Sequence, residues 1–179
     1  MLALAALALA AGAAGAEEPS ALPPALAEAI RRLHPAARVV GADEILEERC
    51  GAGQRREQLF RSDLDGDGRP DYAALLRIGE PEGKAGEALK TVPLWAVAFL
   101  ANRDGRYRPF ILFKDVDAMF PSRRVLWIQA PGCLRHGAHP ERVLTLKHPA
   151  IGSMLCESTA KVYYWVSLRQ TFREYVTKE

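Results

Sequence analysis

The chain has 179 residues, is 49% hydrophobic, and balances 24 basic against 22 acidic side chains for a formal net charge of +2. That length and apolar content suffice for one sizeable core, so a single domain is the default. With both signs scattered, electrostatics offers no argument for nucleic-acid or membrane-surface binding, and pairs such as Arg31-Arg32, Arg55-Arg56 and Arg123-Arg124 read as solvated faces.

Residues 1–16, MLALAALALAAGAAGA, read as a signal peptide rather than part of the fold. The Ala/Leu run ends in Ala14-Gly15-Ala16, a small-residue cleavage site, with Glu17 and Glu18 directly after it. It falls short of the roughly 20 residues a membrane span needs. A basic start is missing, and no Cys follows the cleavage site to carry a lipid. The expectation is a periplasmic or secreted protein, not inserted in a membrane after cleavage, with one β-rich domain over 17–179.

Leu22, Leu26, Ile30 and Leu33 then recur at helical spacing, with Glu28, Arg31 and Arg32 on another face. Pro23 and Pro24 suit a first turn and Pro35 stops the helix. From Val39 onward the signals are strand and turn. Strands are expected at Gln58–Arg61, Tyr72–Ile78, Leu94–Ala101, Tyr107–Phe113, Val125–Gln129, Val143–Leu146, Ala160–Val166 and Phe172–Val176. A flexible loop is expected at Glu80–Thr91, a hairpin turn at Asn102-Arg103-Asp104-Gly105 and a short helical turn at Asp115–Phe120. Consecutive strands without long crossover helices give the expected class: α+β, mainly antiparallel β-sheet with an N-terminal helix and a strand–calcium loop–strand unit.

The chemistry concentrates in Asp63-Leu64-Asp65-Gly66-Asp67-Gly68-Arg69-Pro70-Asp71. Carboxylates at positions 1, 3, 5 and 9 of a glycine-rich turn suit a hard divalent cation, and Ca²⁺ before others, because it takes six to eight oxygens at flexible geometry. Asp63, Asp65, Asp67 and Asp71 are the expected carboxylate ligands, and Arg69 contributes its carbonyl oxygen. Gly66 and Gly68 supply the positive φ such a bend needs. An EF-hand would place a Glu at position 12, where this chain has Ala74, and would be flanked by helices. The D-x-D-G-D-G-x-x-D pattern, followed by an aromatic and an apolar strand, resembles the calcium loop of FG-GAP and VCBS-type repeats. The chain as a whole is similar to small exported bacterial proteins that carry a single such loop, begin with a helix and end in a strand like Val162-Tyr163-Tyr164-Trp165. The resemblance is specific over about fifteen residues. It implies a calcium loop in a β-rich domain, with one copy arguing against a propeller, and it implies no reaction.

Two other readings of the loop are an ordinary solvated Asp-Gly turn and the nucleophile motif of haloacid-dehalogenase-type phosphatases. Four acids in nine residues repel one another without a counter-ion, which disfavours the first. The second wants Thr where Asp67 stands. Of the three cysteines, Cys50, Cys133 and Cys156, at most one internal pair can form, and Cys50–Cys156 is the expected bridge because Cys133 lies in a Pro-Gly turn. Cys133, His136, His139, His148 and Cys156 are soft donors, but the Gly- and Pro-marked loop lacks the spacing of a structural zinc site. Tyr163 and Trp165 alternate onto one face and Tyr164 onto the other, which reads as packing rather than a sugar platform. No Ser-His-Asp order, Cys-His pair or phosphate loop is present. The functional expectation is an exported, non-enzymatic calcium-binding domain with an unknown protein or small ligand as partner. The alternatives are an envelope interaction or inhibitor module, and a metal-dependent hydrolase using the aspartates.

Overall fold

The computed structural model describes residues 22–46, 50, 56–82 and 90–178. The signal-peptide expectation at 1–16 and most of the loop expected at Glu80–Thr91 lie outside these. The helix α1 (Pro24–Leu33) begins with Pro at its first position, carries Arg31 and Arg32 in its last turn, and ends at His34 before Pro35. Eleven strands follow among the described residues: β1 (Ala37–Val39), β2 (Leu59–Ser62), β3 (Asp71–Ile78), β4 (Lys90–Ala101), β5 (Tyr107–Phe120), β6 (Arg124–Gln129), β7 (Gly132–Arg135), β8 (Val143–Leu146), β9 (Ala150–Leu155), β10 (Ala160–Val166) and β11 (Thr171–Lys178).

These strands pair antiparallel throughout. A first sheet runs β1-β3-β4-β5 with β2 also on β3, a second runs β11-β10-β9-β6, and β7 and β8 form a separate hairpin. The strands β3 and β4 are apolar on both faces because both faces are covered. Ala73, Leu75, Leu94, Ala96 and Ala98 face the second sheet in a cluster with Leu126, Ile151 and Tyr163. Ala74, Leu76, Val97 and Phe99 face the other way, onto Leu26, Ala29 and Ile30 of α1. The order of layers is therefore helix, sheet, sheet. Among the described residues no helix is long and apolar enough to cross a membrane.

The expected α+β class is overturned. Among the described residues, one ten-residue helix, with short 3-10 turns, accompanies two open antiparallel sheets, and the fold is mainly β. The helix is real but covers one face of one sheet, whereas the principal core lies between sheets. A second correction concerns Asp115–Phe120, expected as a helical turn. It continues β5, because Asp117 and Phe120 pair with Val92 and Lys90 at the start of β4. The β7 and β9 strands went unexpected. In β9, Gly152 sits opposite Trp127 of β6, and a Cβ there would come within 2.0 Å of the indole. The glycine is thus a slot for a ring, which local propensity misreads as a break.

Two links join the sheets. Gln58, fully buried, accepts from the Leu126 N–H through Oε1 at 2.7 Å. Its main chain donates to the Val40 carbonyl and accepts from the Leu75 N–H, and its Nε2 donates to the Arg56 carbonyl. The second link is covalent: Cys50 and Cys156 form the expected disulfide, with Cα atoms 5.0 Å apart and a sequence separation of 106, while Cys133 is free and exposed. Closing so long a loop constrains the unfolded chain strongly. Replacing both residues, Cys50→Ser with Cys156→Ser, is expected to lower unfolding stability by about 2–5 kcal/mol in denaturant titrations.

Candidate metal centre

The aspartate segment is the connection between β2 and β3, whose register closes on the pair Ser62–Asp71. Leu64 points into the inter-sheet core and is fully buried, so its neighbours Asp63 and Asp65 are turned toward the opposite side. Gly66 and Gly68 adopt φ of 80° and 82°. Gly66 is needed twice over. A Cβ there would lie 2.1 Å from the His148 ring, which packs on the bend from the β8–β9 connection.

The carboxylates are held by main-chain donors. Asp63 accepts from the N–H groups of Gly66, Asp67 and Gly68 at 2.8–3.1 Å. Asp65 accepts from the Asp67 N–H at 3.1 Å. Asp71, fully buried, accepts from Leu64 through one oxygen and from Ala101 of β4 through the other, each at 2.8 Å. One oxygen from each of Asp63, Asp65 and Asp71 then lies within 4.8 Å of the other two. Of the five residues expected to hold the ion, these three converge. Asp67 is turned to Arg69, accepting from its N–H at 2.8 Å and pairing with its guanidinium. Arg69 also donates to the Ala101 carbonyl.

The electrostatics of the trio are unfavourable by themselves. Among the described residues, no Lys, Arg or His forms an ion pair with Asp63, Asp65 or Asp71. Burial, opposed by the two N–H donors and aided by the nearby acids, pushes the Asp71 carboxyl up to about 6. Burial likewise raises Asp65, with Asp67 and Asp63 adding repulsion. A compact, oxygen-only, charge-deficient set of this kind is suited to a hard divalent cation.

Beside the bend lies a cleft of about 400 Å³, lined by Asp65, Asp67, Arg69, Arg103, Arg108 and Trp165 among others. The soft donors weighed as a transition-metal site are dispersed. Cys156 is in the disulfide, Cys133 is exposed on β7, His136 packs beside His139 and Tyr175, and His148 covers Gly66. Tyr163 and Trp165 pack toward the inter-sheet core while Tyr164 packs on a separate cluster with Leu146 and Val162. The role of His148 was not legible beforehand, since it meets Gly66 only through tertiary packing.

The Asp71 shift sets a pH dependence for the chelated protein. A carboxyl raised above its unfolded value binds its proton more tightly when folded, so its contribution turns unfavourable as pH rises. That change falls between about pH 4 and 6 and amounts to roughly 3 kcal/mol. With chelator present, Asp71→Asn is expected to remove most of this decline from the stability–pH curve. Gly66→Ala is expected to cost about 2–4 kcal/mol, from strained φ and the displaced imidazole together, measured by thermal or denaturant unfolding. No protein-family model, curated protein or solved structure matches this chain, so the geometry of the bend carries the functional reading.

Proposed function

We propose that this is an exported, non-enzymatic calcium-binding domain in which the ion locks the β2–β3 bend onto the first sheet. The observation that carries the reading is the convergence of Asp63, Asp65 and Asp71, three acids that form no ion pair with a cationic side chain among the described residues. Calcium fits because it tolerates an irregular oxygen cage and needs no dedicated octahedron. In this reading the Arg69 carbonyl and Asp67, released from the Arg69 guanidinium, complete the shell together with water. The disulfide supports export, since such bridges persist in oxidising compartments. Millimolar extracytoplasmic calcium would suit a loop of modest affinity.

A stabilising role is favoured over a hydrolytic one by how the acids are used. Asp63 is engaged by three N–H groups of its own loop and Asp71 by two, so both fix backbone rather than stand ready for a substrate. A second reading, an envelope interaction or inhibitor module, draws support from the cleft beside the bend, where Arg69, Arg103 and Arg108 offer contacts to a partner.

Adding calcium to chelated protein is expected to raise the melting temperature by roughly 3–6 °C at a concentration tenfold above Kd. Asp65→Asn should lose most of that gain while keeping the fold, and magnesium should give less of it. Superimposable melting curves with calcium and with chelator would sink the proposal.

A further inference from the structure

A second polar site shares no residue with the aspartate bend. Asp115, Arg124, Ser153, Thr159, Lys161 and Tyr163 line a cavity of about 210 Å³ between β5 and the second sheet. Its composition is odd for its position. Ser153 pairs with Lys161 on one side and Leu126 on the other, and Leu126 belongs to the inter-sheet core. Arg124 lies two residues before Leu126 and Tyr163 two after Lys161, so period-two alternation places all four on the core-facing side of the sheet. Cations there need a reason.

The hydroxyls need one too. Ser153 is 3% exposed, and its Oγ has no hydrogen-bond partner. A buried polar atom of that kind carries a desolvation cost with no return in the folded chain. Tyr163 is 6% exposed, and burial with the Glu174 charge pushes its phenol up to about 12, so it remains a donor at any physiological pH. The two cations are held at the margin by carboxylates, Arg124 by Asp115 at 2.7 Å and Lys161 by Glu174 at 3.2 Å. In each pair the cation is the deeper member: Arg124 is 20% exposed against 50% for Asp115, and Lys161 40% against 52% for Glu174. The Lys161–Glu174 pair, close to half exposed on both sides, is weak and rearranges at little cost. Arg124 is further fixed by stacking its guanidinium 4.7 Å over the Phe113 ring.

We propose that this cavity binds a tetrahedral oxyanion, a phosphate or sulfate group, with Arg124 and Lys161 as its charge partners and Ser153, Thr159 and Tyr163 as hydroxyl donors. Charge-assisted bonds from a guanidinium and an ammonium, added to several O–H donors, match a group that accepts through four oxygens. The orphaned Ser153 hydroxyl is then a donor reserved for the ligand.

The test is an amide-resolved NMR titration with inorganic phosphate in calcium-free buffer containing chelator, which separates it from the calcium reading. Saturable shifts at Ser153, Thr159 and Lys161 are expected, and Arg124→Gln should weaken binding about tenfold or more. Glycerol 3-phosphate in place of inorganic phosphate tells whether a phosphoryl group on a larger molecule is also accepted; equal or tighter binding supports the site and extends it to esters. Ser153→Ala provides a second readout. It should melt a few degrees higher than the native chain without phosphate, while binding phosphate severalfold more weakly. Three results would overturn the assignment: no saturable shift, acetate bound as tightly as phosphate, or a Ser153→Ala protein that melts lower than the native chain.

Discussion

The arrangement of the bend depends on the Asp71 carboxylate. It is the first residue of β3, it is fully buried, and its two oxygens bind the Leu64 N–H of the loop and the Ala101 N–H at the end of β4. One side chain therefore ties three pieces of chain together. Such a tie is strong only while the group is charged, and burial works against the charge. The nearest basic residue in sequence, Arg69, is engaged with Asp67 and Ala101. The fold thus creates a demand for positive charge at a place where, among the described residues, no basic side chain pairs with Asp63, Asp65 or Asp71 and Arg69 is turned to Asp67.

Much of this was legible because it was local. Alternate aspartates with two glycines define a tight acidic bend from sequence alone, and the flanking apolar runs mark β2 and β3 as strands. The helix, β8 and β10 were equally visible in their spacing, and the cysteine pairing followed from excluding the one in a Pro-Gly context. What escaped was set by contacts distant in sequence. Asp115-Val116-Asp117 looks like a turn until Val92 pairs with Asp117. Ala150-Ile151-Gly152-Ser153 carries no strand expectation, and its glycine is explained only by the packing of Trp127. The class went wrong for the same reason: a clear helix says nothing of how many sheet layers it serves. Within the bend, the choice of Asp67 between the cluster and Arg69 is a matter of side-chain geometry that the motif leaves open.

The way the two sheets are joined also bears on mobility. Gln58 fills a fully buried position with its main-chain groups and both ends of its amide hydrogen-bonded, so moving β6 from β2 and β3 means breaking its bond with the Leu126 N–H in a low-dielectric setting. The disulfide adds a covalent limit on how far Cys50 and the end of β9 can part. Relative sliding of the layers is therefore resisted where Gln58 sits, and on the side of β5, the terminal strand of its sheet, by the Asp115–Arg124 pair and the contacts of Phe110 with Trp165 and Phe172.

That placement of β5 has its own significance. Fourteen residues long and last in its sheet, it offers an uncapped row of backbone donors and acceptors to any extended polypeptide that drifts alongside. Ile111 and Val116 protrude from it, which would make such docking adhesive. Arg108, Lys114 and Asp115 interrupt the row with charge, and the irregular pairing near Ala96 and Val97 twists it out of flatness. Charge and twist of this kind count against edge-to-edge stacking into fibres.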